Sequence, residues 1–288
     1  MTNYKYQHYL PSGHQKLFSC DDDSRGFVCK YDKRNNVVYS VMQNPKNHGG
    51  KKHLYSYPSS LISSEEQKTY LEQKYFSHDG QFVGVIQKLI NNSGITDDDV
   101  YQITKYIANI NNRHPAILED NEKDVTQLAL NIMFGDDSNL IDFLTSEGVE
   151  FVPEDNEDFV KISNLREMLR SIVENLHDLC NINMNILVSN GAEFILSDAP
   201  FVGVNDDLSL IETTSLLPNK NYFLPLSKHI CAHLNGEGQD LNSYSINDDR
   251  VEIINKLQIT SAKEFVVGSS IEVLQANLKL CGLNYETK

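Results

Sequence analysis

Apolar and polar positions change their period three times along the chain. Residues 26–32 and 37–43 are β-prone runs on either side of Lys33-Arg34-Asn35-Asn36. A short polar turn between two such runs predicts a β-hairpin. The first 25 residues show no period, and 44–60, with Pro45, Gly49, Gly50 and Pro58, read as loop.

A helical period takes over at Ser63, which forms a capping box with Glu66 three residues on. Leu71, Tyr75, Phe82, Val85, Ile86 and Leu89 then recur at helical spacing as far as Asn91-Asn92-Ser93-Gly94. Gly80 and Gly84 weaken that helix, each by about 1 kcal/mol relative to Ala. Thr96 caps a second helix whose first turn holds Asp97, Asp98 and Asp99, near the positive end of the helix dipole. Its stripe is Val100, Ile103, Ile107 and Ile110, and Pro115 stops it. Shorter helices are predicted over 124–134 and 138–146. A long amphipathic one follows over 154–178, carrying Phe159, Ile162, Leu165, Leu169, Ile172, Val173 and Leu176.

After Asn181 the period shortens again. Residues 185–188 and 193–196 read as a hairpin around Ser189-Asn190-Gly191, and 221–234 as further strand broken at Pro225. Helices return at 248–258 and 271–280, with a β-prone run at 264–267 between them. Strand and helix runs that are segregated predict an α+β fold: a predominantly helical block packed against a small, mainly antiparallel sheet. No linker divides the chain, so residues 1–288 read as one domain. Its N-terminal segment and hairpin take 1–60, its helical block 61–181, and its strand-rich part with the C-terminal helices 182–288.

Charge narrows the class of partner. Twenty-five basic against 40 acidic residues give a net charge of −15. Such a charge keeps a protein soluble and repels phosphate backbones and anionic lipid. Free nucleic acid is therefore a disfavoured partner, while a protein partner stays open. Five cysteines, at 20, 29, 180, 231 and 281, show no Cys-x-x-Cys spacing and read as free thiols of a reducing compartment. No leader pattern opens the chain and no run of about 18 apolar residues occurs, which predicts a soluble, cytoplasmic protein without a membrane span.

Signature motifs are lacking: there is no glycine-rich phosphate loop, no Gly-x-Ser-x-Gly and no His-Glu-x-x-His. Individual residues carry what chemistry there is. His229 and His233 are four apart, a spacing that suits metal ligation, but with no third ligand nearby two surface histidines on a β-segment are the plainer reading. Glu72 and Asp79, two helical turns apart, can share one face and hold a divalent cation or divide acid and base roles. The plainer alternative is a solvated helix face. Arg113, just before His114-Pro115, either caps the second helix or binds an anion with its planar fork. Asp198 follows the apolar run Phe194-Ile195-Leu196 and precedes Ala199-Pro200, a strand end that suits a reacting group or an Asx-turn. His8 lies in an aromatic-rich N-terminal segment that either packs on the fold or completes a site.

Taken together, these positions resemble the bacterial family called domain of unknown function 4238. His8-Tyr9-Leu10-Pro11 followed by Leu17-Phe18 resembles its opening block, and residues 27–31 its first strand. Glu72 and Asp79 fall where the family carries two helical acids, and Arg113 with Pro115 matches its helix end. Ser197-Asp198-Ala199-Pro200, then Phe223-Leu224-Pro225-Leu226-Ser227, then Asn255 and Ala262 resemble its later blocks. After Pro11 the chain departs from that pattern, with Ser12-Gly13-His14-Gln15-Lys16 in place of a glutamine followed by aromatics. The resemblance implies a site made of His8, Glu72, Asp79, Arg113 and Asp198 but names no reaction.

Two functional readings follow. In one, the chain is a metal-assisted hydrolase or a nuclease-like effector of a defence or toxin system. Glu72, Asp79 and Asp198 would hold a divalent cation, His8 would move protons and Arg113 would steady an anion. In the other, the same residues form a structural hydrogen-bond network in a non-enzymatic interaction protein, with Arg113 paired to Asp198 or Glu72. An acidic mimic of nucleic acid is a weaker third reading, because the acids are interleaved with lysines rather than gathered on one face.

Overall fold

A computed structural model describes residues 6–20, 23–56, 71, 76, 79–118, 157–211, 216–217, 219–238 and 241–288. The expected helices over 124–134 and 138–146, and the Ser63 capping box, lie outside them. In chain order the strands are β1 (Tyr6–His8), β2 (Cys29–Asp32), β3 (Val37–Val38), β4 (Gly50–Lys52), β5 (Ile182–Ser189), β6 (Leu196–Ser197), β7 (Val202–Val204), β8 (Asn221–Ser227), β9 (Ile230–Glu237), β10 (Leu241–Ile246), β11 (Phe265–Gly268) and β12 (Glu286–Thr287). The helices are α1 (Ser12–Lys16), α2 (Asp79–Ile90), α3 (Asp97–Asn112), α4 (Glu157–Leu179), α5 (Asp248–Ser261) and α6 (Ile271–Leu280).

These strands overturn the expected predominance of helix over one small, mainly antiparallel sheet. They build two five-stranded sheets, ordered β10-β5-β9-β8-β7 and β12-β3-β2-β11-β6, beside a two-stranded β1-β4 pair. Both large sheets are mixed, since β10 runs parallel to β5 and β12 parallel to β3. The surplus strands were invisible as patterns because β1, β7 and β12 span only two or three residues. The longer β10 is exposed along its middle and shows no apolar alternation.

The predicted hairpin exists as β2 and β3, with Tyr31 opposite Val38 and a Val28–Gln43 bridge extending the pair. The second predicted hairpin does not. Strand β5 pairs with β9 and β10, whereas β6 joins the other sheet beside β11. Two amides of α5 decide this by serving the backbone of the 193–200 segment. Asn255 accepts from the Ile195 N–H and donates to the Glu193 carbonyl, and Gln258 accepts from the Ser197 N–H and donates to the Pro200 carbonyl. Pro225, taken as a strand breaker, sits inside β8 at a bulge, beyond the reach of β7, which pairs only with Asn221 to Phe223.

Local chemistry sets the helices that carry the site. Thr96 and Asp99 form a reciprocal capping box on α3, and Lys88 of α2 reaches the same Asp99 carboxylate at 2.7 Å. Helix α3 packs against α2 and α4. Phe82, Ile103, Ile107, Leu165 and Ile172 of these helices share one core with Ile186, Leu224 and Ala232 of the first large sheet. The second large sheet has a smaller core of its own, in which Tyr31, Val38 and Val266 meet Leu274 and Leu278 of α6.

Lys33, in the β2–β3 turn, fastens that sheet to α5. Its ammonium donates to the carbonyls of Ile259, Thr260 and Ala262 at 3.1, 3.1 and 2.7 Å, at the negative end of the helix dipole. Lys33→Met is expected to lower the unfolding free energy by about 1 kcal/mol. Lys52→Met, at an exposed position, should leave it within about 0.5 kcal/mol. Equal denaturation midpoints for the two variants would refute the capping role.

Candidate functional site

The site grows from the end of α3. The helix stops at Asn112, and Arg113 takes non-helical backbone angles (φ −104°, ψ 4°) at the C-cap. The side chain does not cap carbonyls; it turns inward and is fully buried. Its Nε donates to the Tyr9 carbonyl at 3.0 Å and its Nη2 to Asp79 Oδ2 at 3.0 Å. The guanidinium lies 5.1 Å from the ring centre of Phe76 and 6.0 Å from that of Tyr106. Burial opposes the charge, but Asp79, Tyr55 and Tyr106 outweigh it and raise the pKa above the ordinary arginine value. One nitrogen is left over: Nη1, with its two N–H groups, is buried and has no hydrogen-bond partner.

Strand β1 brings His8 to the same place. It lies across β4 with His8 opposite Gly50, and a Cβ at Gly50 would stand 2.7 Å from the Tyr6 ring, so only glycine permits the pairing. Beside it, buried Gln7 accepts from the Tyr55 N–H at 2.6 Å, and the Tyr55 hydroxyl donates to the Arg113 carbonyl at 2.5 Å. Burial lowers the His8 pKa below 6.5; a backbone hydrogen bond at Lys46 and the charge of Asp79 oppose this, while Arg113 adds to it. His8 Nε2 is buried without a hydrogen-bond partner. His48 stands next to this group with its own Nε2 unpartnered, and burial, then Lys30 and His8, push its pKa down to about 4.

Asp198 belongs to the other half of the cluster. Its Oδ1 accepts from the Lys263 N–H at 2.8 Å, and its Oδ2 from the Glu264 N–H at 2.7 Å and His114 Nε2 at 3.2 Å. The Ala116 N–H donates to His114 Nδ1, so Nε2 carries the proton given to Asp198. Tyr9 spans the two halves. Its carbonyl holds Arg113, its ring meets the His114 ring edge-on at 4.7 Å, and its hydroxyl donates to Glu264 at 2.9 Å.

The structure thus brings His8, Asp79 and Arg113 together and joins Asp198 to them only through Tyr9 and His114. Arg113 is ion-paired with Asp79, not with Asp198. Glu72, which was expected to complete a cation site, lies outside the described residues. Among the described residues, no three His, Cys, Asp or Glu side chains are grouped as metal ligands. His229 and His233 do not converge either. His233 stacks on Phe223 and pairs with Asn221 at 2.8 Å, while His229 sits in the β8–β9 turn, 3.9 Å from Glu193. Sequence reasoning missed His114, Tyr9, Tyr55, Tyr106 and His48. The first two are chain neighbours of residues it named; nothing local marks the others.

A family model described as "Protein of unknown function (DUF4238)" matches residues 6–272. The chain belongs to the DUF4238 family. No curated protein and no solved structure matches it significantly. In this DUF4238 protein the blocks that carried the resemblance are those that tie distant segments together. The Pro225 carbonyl receives His14 Nε2 at 2.9 Å, Ser197 donates to Gln258 of α5, Asp198 accepts the Lys263 and Glu264 N–H groups just before β11, and Asn255 reads the 193–195 backbone. No described helix is long and apolar enough to cross a membrane, and the five cysteines are free.

Proposed function

We propose that this DUF4238 protein is a hydrolase-type acid–base enzyme whose reacting groups are His8, Asp79 and Arg113. One observation carries the reading: His8 Nε2 and Arg113 Nη1 are both buried without partners, beside an Asp79 carboxylate whose side chain is 27% exposed. A buried imidazole nitrogen and a buried cationic donor left unsatisfied cost stability, which is the usual mark of groups kept for a ligand. His8 takes a proton from water or a hydroxyl through Nε2. Arg113 Nη1 faces the negative charge that develops on the attacked group, and the Arg113–Asp79 pair fixes both side chains. Asp198 is not enlisted as a cation ligand, because both of its oxygens already accept N–H groups. A net charge of −15 favours small substrates over long polyanions.

The test is hydrolysis of p-nitrophenyl phosphate, bis(p-nitrophenyl) phosphate and p-nitrophenyl acetate by the wild type and by His8→Ala. The variant should lose about 10²–10⁴ in kcat/KM with its unfolding midpoint preserved. Because the base form of His8 is required and its pKa lies below 6.5, the wild-type rate should be flat above pH 7 and fall only on the acid side of 6.5. Wild-type inactivity on all three substrates, or full activity in His8→Ala, would remove this reading.

A second reading rests on Asp198, whose complete set of N–H donors is that of a structural clamp. It supports a protein that works by binding partners through another surface, with the whole polar cluster serving the fold.

A further inference from the structure

We infer that the outer edge of β10 is a docking site for an extended, basic segment of a partner protein, which adds to the β10-β5-β9-β8-β7 sheet as a further strand. The inference is independent of His8 and its neighbours. At every other sheet end the terminal strand is two or three residues long: β7 is Val202–Val204, β12 Glu286–Thr287, β6 Leu196–Ser197, and β1 and β4 span three each. Strand β7 is further screened by a Val204–Leu210 bridge from its own return loop. Strand β10 is different. It runs six residues, pairs on one side with β5 and, among the described residues, carries no partner on the other.

Natural edges are blunted by lysine, proline, a bulge or brevity. The β10 sequence Leu-Asn-Ser-Tyr-Ser-Ile has none of the first two, and its register with β5 is unbroken over all six residues. Asn242, Ser243, Tyr244 and Ser245 are exposed, so both faces of the strand are open, with Tyr244 at 52%. Alternate N–H and C=O groups therefore point to solvent in the spacing of a β-ladder, and only another extended backbone satisfies such a row.

Two further features define the occupant. Where β10 starts, Leu241 lines a groove of about 280 Å³ with Ile95, Tyr101, Leu179, Ile182 and Met184. An apolar side chain at the end of an added strand fits there. Charge excludes a second copy and selects a basic partner. The chain carries −15, Asp97 lines the groove, and the exposed Asp248 and Asp249 follow the other end of the strand, with Arg250 the one base in that turn.

The probe is a synthetic octapeptide of alternating valine and lysine, tested against the wild-type protein by fluorescence anisotropy. Hydrogen exchange over residues 241–246 is read in parallel. Binding should slow exchange in β10 and should be absent for the valine–glutamate counterpart. N-methylation of alternate peptide nitrogens keeps every side chain but removes the ladder, and should weaken binding roughly 10–100-fold. The inference is overturned if the octapeptide does not bind, if N-methylation leaves its affinity unchanged, or if the protected amides lie elsewhere. Self-association of the free protein in sedimentation, with 241–246 already protected, would equally overturn it by making a second copy the occupant.

Discussion

Asp198→Ala is expected to lower the unfolding free energy by about 3–5 kcal/mol, the scale for breaking a buried charged contact by deleting one partner. The carboxylate is 1% exposed and accepts two main-chain N–H groups and one imidazole N–H. Alanine leaves the buried His114 N–H and the two part-buried main-chain N–H groups without their acceptor, and a buried loss of this kind costs about 1–3 kcal/mol. The main-chain donors belong to Lys263 and Glu264, so the damage falls on the approach to β11, the strand between β2 and β6 in its sheet. Asp198→Asn keeps the shape and one acceptor oxygen and should lose less. Denaturant titration of the three proteins decides the matter. An unchanged midpoint for the alanine variant would mean that the clamp carries no stability and would return Asp198 to the list of reacting groups.

Acidification from pH 7 to pH 5 is expected to weaken the fold by about 2 kcal/mol through His14 alone, with further losses of the same sign from His48 and His233. His14 is wholly buried between the Tyr106 hydroxyl (2.8 Å, on Nδ1) and the Pro225 carbonyl (2.9 Å, on Nε2). The Pro225 carbonyl can only accept, so Nε2 donates to it and Nδ1 of the neutral ring accepts from the Tyr106 hydroxyl; a second proton on Nδ1 would force that hydroxyl to turn away. Burial, opposed by the Pro225 carbonyl and reinforced by Arg113, depresses its pKa from 6.5 to about 3. A depressed folded-state value makes the stability present above 6.5 and loses it as pH falls, because the unfolded chain takes up a proton that the folded one refuses. At pH 5 that difference is roughly 1.5 pH units, hence the figure given. Burial acts with the same sign on His48 and His233, both at about 4 and both less deeply enclosed. Denaturation free energies that agree at pH 7 and pH 5 would show that His14 is not held in this way.

What could be read along the chain was what neighbouring residues decide. The Thr96–Asp99 box and the bounds of α6 depend on side chains within one helical turn, and so does the β2–β3 turn. Strand β10 depends on Met184 to Ser189, more than fifty positions earlier, and its own polar residues announce nothing. The turn at Ser189-Asn190-Gly191 is real, but the chain leaving it is captured by Asn255 and Gln258 rather than by β5. For the site, proline neighbours made Arg113 and Asp198 conspicuous. Which acid each would meet was a matter of packing: Arg113 turned to Asp79, and His114, the next residue, took Asp198.

Strand β2 has a second consequence, in time. It lies between β3 and β11, and its residues Cys29 to Asp32 meet Gly268 to Phe265. During synthesis at about 5–20 residues per second, the β2–β3 hairpin waits roughly 10–50 s for the strand that flanks it. Through that interval one edge of the hairpin stays unpaired, and a two-stranded hairpin is at best marginally stable in water. The nascent chain is thus most open to mispairing early, and its second large sheet closes only after Phe265 to Gly268 have been made.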